Sequence, residues 1–254
     1  MRKLLYVLAL MGMVAAGCQG PRSAEPQAEK SELQSSPAAE TEVNIPFVPQ
    51  DVSTEQKVTE MSASGLEQLI LQKQIGPDTL YFYTKKEDTE HIYAAMKRNE
   101  KLFGLGPVAG AAYASSDLLG SGVWTQYGKS LLKITGPYGA NYAETNYFEL
   151  VDGKVKPFFK VDTGMAEETD LDHDGTAEII SSHGLPMQAI IYQWQGDHFG
   201  QINIGELLGA YSVSVDVRTK TIQAQQKEGS PQEVYAFRKN DLLKLAGEAS
   251  KANP

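Results

Sequence analysis

Asp170-Leu171-Asp172-His173-Asp174-Gly175-Thr176-Ala177-Glu178-Ile179-Ile180-Ser181-Ser182 is the stretch that decides how this chain folds. Three carboxylates stand at alternating positions, a glycine follows, and a fourth carboxylate closes the run. Alternation lets Asp170, Asp172 and Asp174 converge. Gly175 permits the sharp turn that brings the Thr176 carbonyl inward, and Glu178 adds one or two more oxygens. Oxygen ligands wrapped in this way suit a hard divalent cation, Ca²⁺ above all. Without a cation, carboxylates held so close repel one another. The residues that follow fix the type of loop. A helical EF-hand needs a carboxylate at position 12 and an exiting helix. Here position 12 is Ser181, and Glu178-Ile179-Ile180-Ser181-Ser182 has the composition of a strand. The acidic loop therefore belongs between two strands.

Reading outward from the loop extends this pattern. Short runs rich in Val, Ile, Thr and aromatic residues recur at 80–84, 91–96, 123–127, 130–135, 146–150, 155–161, 178–182, 189–195, 211–217, 221–226 and 233–238. Turn residues separate them, including Asp152-Gly153 and Gln195-Gly196-Asp197-His198. Two short helices are expected. One covers 64–74, where Leu66, Leu69, Ile70 and Lys73 have helical spacing, Ser62 or Ser64 can cap, and Gly76-Pro77 terminates. The other follows Asn240-Asp241 through Leu242, Leu243 and Leu245. Many short strands at close, regular spacing predict an all-β domain: sandwich, barrel or propeller-like.

The N-terminus gives an address. Arg2 and Lys3 precede an almost unbroken apolar run from Leu4 to Ala16, too short for a lasting transmembrane helix. The run ends Val14-Ala15-Ala16-Gly17-Cys18, which resembles the lipobox of bacterial lipoproteins, with Ala15 where Leu is commoner. The resemblance implies a signal peptide over 1–17 and a lipidated Cys18 as the mature N-terminus, so that palmitate-type acylation anchors the chain to the cell membrane. Cys18 is the only cysteine, so no disulfide forms within one chain and stability must come from a core, helped by metal. From Gln19 to Glu42 the sequence is rich in Gln, Ser, Pro, Ala and Glu and has no aromatic residue. Such a stretch buries too little to offset its ordering entropy. It reads as a tether over 18–60, leaving 61–254 as one β-rich domain.

The nine-residue form Asp-x-Asp-x-Asp-Gly-x-x-Glu between strands, followed by Ile179-Ile180, resembles the calcium loop of FG-GAP and VCBS repeats found in integrin-type β-propellers and bacterial surface proteins. The likeness covers 169 to about 192, a tenth of the chain. It implies structural Ca²⁺ held by Asp170, Asp172, Asp174, Thr176 and Glu178. A fainter echo, Asp117-Leu118-Leu119-Gly120-Ser121-Gly122-Val123-Trp124-Thr125, keeps Asp, Leu and Gly at positions 1, 2 and 6 and lacks the other acids. It reads either as a decayed copy or as chance. The chain is too short for a seven-bladed ring of such repeats, and the expected fold is a small, irregular or partial β-propeller-like domain of short antiparallel strands.

Other chemistry is thin. Gly122 to Ser130 lacks the glycine spacing of a P-loop and reads as strand, which argues against nucleotide. Ser130 and Lys133 mimic a Ser-x-x-Lys pair, but strand alternation places them on opposite faces. His91, His173, His183 and His198 have no zinc-ligand spacing. His183 and His198 flank one hairpin and could meet with Asp197 as an acid–base pair. Tyr138, Tyr142, Tyr147 and Phe148 could grip a partner or fill half-buried faces. The net charge is −9, and loss of residues 1–17 removes two bases and no acid, which argues against nucleic acid. The expected role is a non-enzymatic, extracytoplasmic module that binds an envelope protein or polysaccharide. The alternatives are an envelope hydrolase with a catalytic metal in the acidic loop, or an accessory or sensor subunit of a membrane complex.

Overall fold

The computed structural model describes residues 43–245 apart from 54, 114 and 141. The expected signal peptide, Cys18 and the tether up to residue 42 lie outside the described residues. The described chain opens with three short strands, β1 (Val43–Pro46), β2 (Gln50–Val52) and β3 (Thr59–Met61). Four meanders follow. The first is β4 (Gln68–Ile75), β5 (Asp78–Lys85), β6 (Asp88–Arg98) and β7 (Lys101–Gly110). The second is β8 (Gly120–Gln126), β9 (Lys129–Gly139), β10 (Tyr142–Val151) and β11 (Lys154–Val161). The third is β12 (Met165–Thr169), β13 (Glu178–His183), β14 (Gln188–Trp194) and β15 (Phe199–Asn203). The fourth is β16 (Ser212–Asp216), β17 (Thr221–Gln225), β18 (Gln232–Arg238) and β19 (Asp241–Lys244).

Each meander is one antiparallel sheet, and none closes on itself. The three opening strands extend three of them. β3 pairs with β7 in the first sheet, β2 with β15 in the third, and β1 with β19 in the fourth. The fold is therefore all-β, as the strand pattern predicts.

Apolar doublets explain how the sheets stack. Neighbouring residues on a strand point to opposite faces. On β10, Phe148 joins Leu80, Phe82 and Leu132 in the core between the first and second sheets. Its neighbour Tyr147 joins Phe159, Ile179 and Tyr192 between the second and third. On β13 the Ile-Ile pair divides likewise: Ile179 faces the second sheet, while Ile180 packs with Ile191, Val213 and Ile222 against the fourth. Each fully buried side chain of this size contributes roughly 1.5–3 kcal/mol.

The expected helices are not there. Residues 64–74 hold a 3-10 turn, Ala63–Gly65, and then β4. A register shift after Leu69 leaves Leu71, Lys73 and Ile75 alternating inward, so a period of two overrides the helical spacing. Leu242 and Leu243 lie in β19, held between β1 and β18. The α-helix in the described residues is a five-residue turn elsewhere, α1 (Ile204–Leu208), capped by the Asn203 side chain and ended by Gly209 at φ 58°. The 18–60 tether also needs correction, because β1, β2 and the start of β3 fall inside it. Their side chains are mostly exposed, and backbone pairing on sheet edges orders them where composition gave no sign. Phe47 adds an anchor, stacking on Phe237 at 5.4 Å.

Candidate metal centre

The acidic loop joins β12 to β13, in a third sheet whose next strand is β14. Thr169 pairs with Glu178, so the eight residues between them close over a strand-paired base. Two left-handed residues shape the loop: His173 at φ 62° and Gly175 at φ 89°. Gly175 is required there, because a side chain rarely tolerates that backbone region.

The loop folds on its own carboxylates. Asp170 Oδ2 accepts the Gly175 N–H at 3.3 Å, Asp172 Oδ1 accepts the Asp174 N–H at 3.1 Å, and Asp174 Oδ1 accepts the Thr176 N–H at 2.7 Å. Leu171 points inward and is buried in the core against the fourth sheet. This leaves one oxygen from each of Asp170, Asp172 and Asp174 within 4.8 Å of the others. Asp170 Oδ1 and Asp172 Oδ2 are buried and have no hydrogen-bond partner. A buried carboxylate oxygen without a donor is costly, and a cation at the point of convergence would satisfy both.

Glu178 stands beside this triad rather than in it. Its Oε2 accepts the Leu171 N–H at 2.8 Å. Burial pushes its carboxyl up to about 8, and the charges of Asp172 and Asp174 add to the shift. Asp172 is also raised, by burial first and by its acidic neighbours after. Thr176 is placed on the same loop through its N–H to Asp174. The donor set is all oxygen, which suits a hard cation and not a soft metal.

The loop is braced from outside by residues that sequence reading missed. Tyr127 Oη donates to the Ala177 carbonyl at 2.6 Å, and Gln126 Nε2 to the Gly175 carbonyl at 3.3 Å. They come from the end of β8 and the turn after it in the second sheet, some fifty positions away, and no local signal marks them. Lys220 Nζ contacts His173 Nδ1 at 3.1 Å, and the charge of Lys239 bears on Asp172.

Other candidates disperse. Asp117 precedes β8, the first strand of its sheet, whereas the acidic loop follows the first strand of its own. The two segments are not equivalent, which removes the main support for a decayed copy. Lys133 pairs with Glu168 across sheets at 2.6 Å and bonds the Ala166 carbonyl, so its amine is committed away from Ser130. His183 and His198 sit at opposite ends of β14. His198 meets Asp197 and Asp51 instead. Tyr147 and Phe148 are core residues, while Tyr142 is exposed and rests edge-on to Tyr138 at 6.1 Å. No protein-family model, curated protein or solved structure matches this chain.

Proposed function

We propose that this chain is a lipid-anchored bacterial envelope protein whose extracytoplasmic domain is a non-enzymatic binding module stabilised by one Ca²⁺. The observation that carries the metal assignment is the pair of buried, unpartnered oxygens on Asp170 and Asp172, aimed with Asp174 at one point. Asp170, Asp172 and Asp174 would hold the ion through carboxylates, with the Thr176 carbonyl and Glu178 completing the oxygen set. The ion supplies positive charge that offsets the acidic cluster and fixes the β12–β13 turn. Its role is structural, because the loop is tied on one side to the second sheet and on the other to its own strand pair. Four successive meanders, three of them extended by N-terminal strands, support reading the domain as a small propeller-like assembly.

The test is thermal unfolding of the chain without its signal peptide, in Ca²⁺ and in chelator. At a hundredfold excess over its dissociation constant, Ca²⁺ is expected to add about 2.7 kcal/mol of stability. Asp172→Ala should lose that gain and melt like the parent in chelator. Identical melting of the parent in both conditions overturns the calcium assignment.

A further inference from the structure

A cavity of about 680 Å³ lies at the end of β12 and β13 opposite the acidic loop. Pockets of this size hold small organic ligands. Its walls gather apolar side chains that a soluble surface normally scatters: Met165 and Leu185 are 63 % and 85 % exposed, and Tyr113, Leu118, Tyr142 and Met187 are also open to solvent. They arrive from separate places: the β7–β8 connection, the β9–β10 hairpin, β12 and the β13–β14 turn. Convergence from that many segments is a property of the fold and not of one greasy loop.

One charge faces this apolar wall. Glu167 is the Asp, Glu, Lys or Arg that lines the cavity among the described residues. It sits two residues from Met165 on the same face of β12, opposite Ile180 on β13. Its carboxylate makes no ion pair or hydrogen bond within the described protein. Thr135, Ser182 and His183 add hydrogen-bonding groups. Tyr113 and Tyr142 add ring faces, which attract cations. An apolar wall, exposed tyrosines and one unpaired anion are complementary to a molecule with a hydrophobic body and a single positive head.

From this geometry we propose that the cavity binds a hydrophobic organic cation, its apolar part against Met165, Leu185 and Met187 and its charge at Glu167. The site shares no residue with the calcium loop, and its test does not depend on that metal. The probe is decyltrimethylammonium below its micelle concentration, titrated calorimetrically against the intact domain, with decyl sulfate and decyl glucoside as anionic and neutral counterparts. The expected result is a single site that prefers the cation over the glucoside by about tenfold, the factor corresponding to 1.4 kcal/mol, and excludes the sulfate. Glu167→Gln should abolish that preference and still bind the glucoside. Because it alters the net charge of −9 by only one, it leaves general attraction of cations to an acidic protein almost intact. Leu185→Ser, at an exposed position, should weaken both the cation and the glucoside with melting unchanged. Equal binding of the three probes by the parent overturns the proposal, as does a cation preference that survives Glu167→Gln.

Discussion

His198 holds two carboxylates from distant parts of the chain. Its Nδ1 lies 2.6 Å from Asp197 Oδ1 and its Nε2 lies 3.0 Å from Asp51 Oδ1. With an acceptor at each ring nitrogen, the doubly protonated imidazolium is the form that satisfies both. The hydrogen bond to Asp197 leads in pushing the His198 pKa above its ordinary value, and the bond to Asp51 adds. A group whose folded pKa is raised stabilises most below its unfolded pKa and loses that contribution as pH rises through the folded one. Asp51 lies on β2, so the clamp fastens an N-terminal strand to the β14–β15 turn. The parent should therefore out-melt His198→Gln at ~pH 5.5, below the unfolded histidine value, and the gap should narrow by ~pH 9. Comparing parent with variant cancels the other titrating groups. Since the clamp is exposed, the gap should also shrink in high salt. A gap independent of pH shows that packing, not charge, is at work.

Strands need close approach between sheets as well as pairing within them, and Gly136 on β9 marks one such approach between the first and second. A Cβ there would fall 2.2 Å from the Val108 carbonyl oxygen and 2.7 Å from the Ala109 Cβ, both on β7. Backbone cannot yield as a flexible side chain would. Gly136→Ala should cost about 1–3 kcal/mol, read as a lower denaturant midpoint, while Gly122→Ala, with open space around it, should be near neutral. If both variants unfold alike, the contact is not tight. The same strands show what was readable beforehand. Each expected strand run overlaps an observed one because β-branched and aromatic residues crowd there. β7 escaped because Gly104, Gly106 and Pro107 break its composition, and bulges opposite Ile92 and Ala94 accommodate them. β4 was misread because Leu69 and Ile70 complete a helical stripe yet point to solvent. In the acidic loop the aspartate spacing was legible, since the three carboxylates are local in sequence. Tyr127 and Gln126 were not, since only the stacking of two sheets brings them to the loop.

At the scale of the whole molecule, the N-terminal segment covers edges. A bare edge strand offers unpaired N–H and C=O groups to another chain. β1, β2 and β3 pair with β19, β15 and β7, so a span of nineteen residues replaces one edge of three of the four sheets with strands of only three or four residues. In 43–61 Phe47 is buried against Phe237, and Ile45, Val52, Val58 and Met61 are only partly buried against the cores. The segment is held by ladder bonds, by that ring, by the partly buried Ile45, Val52, Val58 and Met61, by the Lys101–Glu60 and Gln56–Asn146 contacts and by the His198 clamp. A chain starting at residue 62 should therefore aggregate or form sheet-paired oligomers, and should melt well below a chain starting at residue 43. Phe47→Ala separates anchoring from shielding: losing a buried phenylalanine costs about 3–5 kcal/mol, and the ladder then frays from β1. Its oligomeric state should match that of the chain starting at residue 43 at low temperature and shift on mild heating, as the three edges open. Light scattering against temperature for the three chains is the measurement. Equal melting and equal scattering for the chains starting at 43 and 62 would mean that the sheets guard their own edges.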